Sequence, residues 1–195
     1  MPLKWLWVIA AVSALAIGTA GARSYARLAA PYYRFVAEVL ADGRPWQVVS
    51  VDVRPSASGP GWVLALVGLV REFSTDRAPA AKLVSKLQVA AVAESPVIFW
   101  TILLVWPAGS GRERLSRLAL GIPVFLLLEA ATTVCQLMNP LAYASAVLAG
   151  EPDPVTPWEH WSRFLEEGGR VVLALAVAAV TATAVGSRAD PVSRP

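Results

Sequence analysis

Residues 118–138 read LALGIPVFLLLEAATTVCQLM, a run with one charged side chain, Glu129. At about 1.5 Å per residue, such a helix is long enough to cross the roughly 30 Å hydrocarbon core of a bilayer. Glu129 sits in its middle. A carboxylate at the bilayer centre costs roughly 2.5–3.5 kcal/mol on insertion scales, so it has to be protonated, paired or held in a polar cavity. Thr132, Thr133 and Gln136 follow at i+3, i+4 and i+7 and share its helix face. A face this polar turns away from lipid. It serves as a proton, ligand or partner-helix site, or it closes on itself, with a protonated Glu129 bonded to Thr132, Thr133 or Gln136.

Three more apolar blocks stand around this one. The first, Leu3 to Ala22, opens with Lys4, Trp5 and Trp7, a cation and two indoles suited to the headgroup region. Small residues at 19–22 also fit a cleaved signal peptide, but the polar start is very short, and later spans favour an uncleaved anchor. The second block covers Ser95 to Ala108, with Val89 as an earlier start. Pro96 suits its first turn, and Trp106-Pro107 mark its far interface. Asn139-Pro140 is read as the end of the third span. The fourth, Arg170 to Val185, is almost entirely Ala, Val and Leu. The fold expected is an α-helical integral membrane protein with about four transmembrane helices.

Composition agrees. Among 195 residues, 56% are hydrophobic and only 16% charged, against about 25% charged in a soluble domain. Mean hydropathy is +0.54. Length suits one compact unit. The net charge of +3 comes without a basic stripe interleaved with aromatics and without a zinc-finger or RNA-binding signature. The partner it implies is the lipid bilayer, not nucleic acid.

Residues 23–93 read as a small α+β extracytoplasmic insert. Tyr25, Leu28, Ala29, Tyr32, Val36 and Leu40 recur at helical steps, with a break or kink expected at Pro31. Asp42-Gly43 supplies a turn. Trp46 to Val53 is rich in β-branched residues, with Val49, Val51 and Val53 alternating against Ser50 and Asp52. Residues 61–73 read as a second strand, with a short membrane-associated helix as the alternative. Lys82 to Val92 is a third segment in which helix and strand are hard to separate.

Orientation follows the short loops. Lys4, the 109–117 loop with Arg112, Arg114 and Arg117, and the tail with Arg188 and Arg194 share one side if there are four spans. That side is expected to be cytoplasmic, with both termini inside a bacterial inner membrane. The 139–169 loop carries Glu151, Asp153, Glu159, Glu166 and Glu167 against Arg163 and faces outward. Domain organisation is then a first span at 1–22, the insert at 23–93, and three further spans with the acidic loop and a tail at 94–195.

Cys135 is the only cysteine, so an intramolecular disulfide is excluded and a cysteine-based metal cluster is not expected. Near the outer surface it could meet His160 and Arg163, a thiol with a base and a cation. The bland alternative is a small apolar cysteine, an interfacial histidine and a solvated arginine, and no spacing motif supports catalysis. Trp158 and Trp161, like Trp5, Trp7 and Trp106, read as interfacial anchors. No P-loop, dinucleotide fingerprint, metalloprotease helix or nucleophile elbow is present, and no cofactor or metal is implied.

The order of segments carries a resemblance. An anchor and a β-containing insert precede Ser95-Pro96-Val97-Ile98-Phe99, then Leu104-Val105-Trp106-Pro107, an arginine loop and a polar third span. Later comes Trp161-Ser162-Arg163-Phe164-Leu165-Glu166-Glu167-Gly168-Gly169-Arg170. This layout resembles the small membrane proteins that accompany bacterial exosortases, in particular the exosortase H-associated proteins. It covers most of the chain in layout and rests on these short stretches in sequence. The resemblance implies a non-enzymatic accessory role beside a membrane transpeptidase or its exported substrates. Exosortases have more spans and their own cysteine–arginine motifs, which Thr133-Val134-Cys135-Gln136 does not match, so no catalytic residue carries over.

Overall fold

The computed structural model describes residues 3–57, 59–70, 81–108, 110–151, 154, 156 and 158–186, without the side chains of 3–20, Val70 and Gly186. Trp5, Trp7, Lys4, Arg188 and Arg194 therefore lie outside the described side chains, as do Arg71, Glu72 and Phe73.

Helix α1 spans Leu3–Ala41 and runs through Pro31 without ending. Of the break or kink expected there, the break does not occur, and Pro31 stands on the exposed face. The carbonyl it leaves without a donor, that of Arg27, is on the exposed side too. The buried stripe is Ala22, Ala26, Ala30, Tyr33, Ala37 and Ala41, while Leu28 is 82% exposed. Small side chains on that stripe let the helix approach its neighbours closely. Tyr25, Ala29, Tyr32, Val36 and Leu40 flank it.

Three strands follow, β1 (Trp46–Pro55), β2 (Trp62–Val70) and β3 (Ala81–Gln88), in an antiparallel meander of order β1-β2-β3. This decides residues 62–70 in favour of a strand. In β2 the consecutive residues Val63 to Val67 are all buried, so both faces are covered and no polar alternation marks it. A bulge between Val48 and Ser50 resets β1. Val48 and Val51 point inward and Val49 outward, which corrects the simple alternation of Val49, Val51 and Val53.

Strand β3 passes directly into helix α2 (Val89–Val105), so Pro96 lies inside that helix and not in its first turn. Helix α3 (Gly111–Glu129) begins where a loop was expected. Ser110 Oγ accepts from the Glu113 N–H at 3.2 Å and caps it. Arg117 is buried and donates to the Trp106 and Pro107 carbonyls at 3.1 and 2.8 Å and to Glu113, closing the α2–α3 turn.

A π-helical turn, Ala130–Val134, joins α3 to α4 (Cys135–Leu148). The helix continues through Asn139-Pro140, which therefore does not end it. Beyond the turn come α5 (Glu159–Phe164), a kinked segment Leu165–Gly169, and α6 (Arg170–Gly186). The chain is mostly helical with one small sheet. Gly111–Leu148 (38 residues) and Glu159–Val185 (27 residues) are long and apolar enough to cross a membrane, and α2 is a shorter apolar helix.

Two cores result. One packs α1, the sheet, the start of α2 and α4, with Tyr33, Leu64, Leu66, Val92, Leu137 and Leu141 at its centre. The other gathers Phe99 and Leu103 of α2, Leu128 of α3, and Ala174, Ala178 and Ala182 of α6. Alanine at every fourth position of α6 keeps that helix close to Phe99. Between the two cores lies the polar layer.

Candidate functional site

Glu129 is 1% exposed. Tyr25 donates to its Oε2 at 2.8 Å, Tyr33 donates to the same oxygen, and the two hydroxyls lie 3.1 Å apart. Eight residues separate the tyrosines, about 12 Å of helix, and their rings reach toward one carboxyl group from either side. Tyr32, next on the helix, donates to the Leu126 carbonyl. Three tyrosines thus fasten α1 across the end of α3. Of the partners the sequence offered, Thr132, Thr133 or Gln136, Thr133 stands beside the carboxyl group and the other two bond elsewhere. Thr132 donates to the Leu128 carbonyl at 2.8 Å, and Gln136 turns elsewhere. Apart from each other, Glu129 Oε1 and the adjoining Thr133 hydroxyl have no hydrogen-bond partner among the described residues.

Gln136 belongs to a second cluster around Arg170, which is 3% exposed at the start of α6. The guanidinium donates through Nε to Gln136 Oε1 at 3.1 Å and through a terminal nitrogen to the same oxygen. It also donates to the Ala91 carbonyl of α2 at 2.8 Å and the Thr132 carbonyl at 3.3 Å. Gln136 Nε2 donates to Glu166 at 3.3 Å. The guanidinium is within electrostatic reach of Glu129, Glu94 and Glu166. The face Glu129, Thr132, Thr133, Gln136 read from sequence is one buried face, and its members bond to α1 and α6.

The π turn explains part of this wiring. The Cys135 N–H reaches back five residues to the Ala130 carbonyl, so Ala131 loses its α-helical donor. Trp161 Nε1 donates to that carbonyl at 2.6 Å. Trp161 is therefore a bonded strut, its ring 5.5 Å from that of Phe164. Trp106 is half-buried against the second core.

Gly168 has φ of +103°, which turns the chain between α5 and α6. A Cβ at Gly169 would lie 2.5 Å from the Phe164 carbonyl oxygen and its ring. Both glycines are needed to bring Arg170 into the bundle.

Cys135, His160 and Arg163 share no hydrogen bond or ion pair. Cys135 is half-buried, His160 is exposed, and Arg163 pairs with Glu159 at 3.4 Å. Among the described residues no group of three or more His, Cys, Asp or Glu is placed to hold a metal ion.

A cleft of about 400 Å³ opens between the end of α1, the start of β1, α4 and the segment leading to α5. Trp46, Met138 and Trp158 form apolar walls, with Arg44 and Glu151 also lining it. Thr156 is fixed there by a 2.6 Å bond to Asn139 Oδ1. Neither Arg44 nor Glu151 has a salt-bridge partner among the described residues.

Tyr25, Tyr33 and Arg170 were missed as site residues. Arg170 carried a signal, being a cation at the head of an apolar run. Comparisons of the chain with protein-family models, curated proteins and solved structures found no match.

Proposed function

We propose that this chain is a non-enzymatic accessory membrane protein of an exosortase-type protein-sorting system. Four spans, α1 up to about residue 22, α2, the α3 region and α6, hold it in a bacterial inner membrane with both termini inside. The insert faces outward and contacts an exported polypeptide or the partner transpeptidase. The observation that carries this reading is the cleft between α1, β1 and α4. Its volume lies in the range of ligand-binding pockets, its walls mix aromatic and apolar side chains with polar ones, and it offers Arg44 and Glu151 to an incoming chain. Arg170, by tying α2, the π turn, α4 and α6 together, fastens the cleft to the spans. The segment order set out above supports the exosortase assignment.

Crosslinking and co-purification of the tagged protein from native membranes tests it. A sorting transpeptidase or its exported substrates should accompany the chain, and Arg44→Glu should lose them. An eluate holding this chain alone refutes the accessory role.

One observation favours a second reading, a proton-linked membrane subunit. Among the described residues, buried Glu129 Oε1 has no neighbour to bond but the Thr133 hydroxyl, which leaves that oxygen outside the tyrosine bonds. Proton flux in proteoliposomes abolished by Glu129→Gln would support it, and flux unchanged in that variant would exclude it. The thiol reading is tested by Cys135→Ser, since unchanged processing in cells removes the nucleophile.

A further inference from the structure

Arg23 and Arg27 lie one turn apart on α1 and both approach one indole. The Arg23 guanidinium carbon stands 3.4 Å from the Trp62 ring centroid and that of Arg27 stands 5.6 Å away. Neither arginine has a carboxylate partner among the described residues. Cation–π contact holds each guanidinium in place but leaves two like charges as neighbours. An anion between them would offset that repulsion.

The position of the pair is defined by the sheet. Val63 is paired with Gln88, the last residue of β3, so Trp62 stands beside the start of α2. Ala22, the residue before Arg23, is the α1 wall of an apolar crevice of about 390 Å³. Its other wall is α2 from Ala90 to Ile98, about 12 Å of helix. Glu94 is its charged wall residue. That carboxylate repels an anion from its own stretch of the crevice and leaves the arginine pair beyond Ala22 as the favourable place for one. An apolar slot whose wall residue Ala22 is followed directly by Arg23, one turn before Arg27, matches a molecule with an anionic head and a hydrocarbon tail.

We propose that this is a binding site for one anionic phospholipid, its phosphate on Arg23 and Arg27 and an acyl chain between α1 and α2. The proposal rests on the membrane reading of the chain. A free phosphate would satisfy the arginines and leave the crevice unfilled, whereas a phospholipid accounts for both.

The test uses the full chain purified in neutral detergent. Thermal unfolding is followed while phosphatidylglycerol, phosphatidylcholine or inorganic phosphate is added. Phosphatidylglycerol should raise the midpoint saturably, and the other two should not. Arg23→Gln with Arg27→Gln should weaken phosphatidylglycerol binding by about tenfold or more, the scale of two arginines at an anionic lipid surface. Ala90→Trp should block the crevice and weaken binding with both arginines present. Lys82→Gln with Lys86→Gln, on exposed strand positions, should change nothing. The five substituted positions, Arg23, Arg27, Lys82, Lys86 and Ala90, are exposed, so folding is preserved. Equal stabilisation by phosphatidylcholine or by phosphate, or unchanged binding in the arginine variant, overturns the proposal. Flotation with phosphatidylcholine vesicles separates the two failures. A chain that does not float refutes the membrane reading itself, and one that floats without preferring phosphatidylglycerol refutes only this site.

Discussion

Glu129 accepts hydrogen bonds from two tyrosines that lie about a hundred positions earlier in the chain. Glutamine in its place keeps an oxygen for both hydroxyls and gains an N–H for Thr133. Glu129→Gln should therefore stay within about 1 kcal/mol of the parent in thermal unfolding of the purified chain. Glu129→Leu leaves the two tyrosine hydroxyls only each other as partners and should lose about 1–3 kcal/mol. A Leu variant as stable as the parent would show that the tyrosines find other partners. Arg170→Met strands Gln136 Oε1 and the Ala91 and Thr132 carbonyls. It should cost about 2 kcal/mol or more and speed protease cleavage of the insert, and unchanged cleavage would mean that Arg170 does not hold insert and spans together. The four-residue polar face was legible from spacing alone, because helix periodicity is local. The partners were not, since nothing local links Tyr25 to Glu129 or Ala91 to Arg170.

At the scale of elements, misreadings cluster at prolines and helix ends. Pro31, Pro96 and Pro140 were read as a break or kink, a first turn and a stop, and each lies inside a helix. A proline removes one hydrogen bond, and burial of the rest of the helix offsets that loss. The first strand was legible from β-branched composition, except that the bulge at Val48/Ser50 shifted which valines face inward, whereas the sequence of the second also suits a short helix and that of the third does not separate helix from strand. Glycine matters most between α5 and α6. Gly168→Ala should cost about 1–3 kcal/mol because φ there is strongly positive. Gly169→Ala should cost more, since its Cβ meets backbone. Unfolding midpoints of the two variants check the order, and equal values would mean that the kink relaxes freely.

For the whole molecule, the topology makes a directional prediction. In a Cys135→Ala background, Asp42→Cys should react with a membrane-impermeant maleimide in intact spheroplasts, and Ser110→Cys should react only after permeabilisation. The reverse pattern would invert the proposed orientation, and labelling of both would refute the four-span arrangement. The apolar blocks, the small sheet, the lone cysteine and the polar face around Glu129 were determined by the sequence alone. Composition and periodicity express the local demands of burial and hydrogen bonding. Tertiary structure alone decided that the polar face is shared between α1 and α6, that Trp161 replaces a donor lost to the π turn, and that Arg23 and Arg27 converge on Trp62. Each depends on which distant segments meet, and burial of the two cores, not any local preference, selects those meetings.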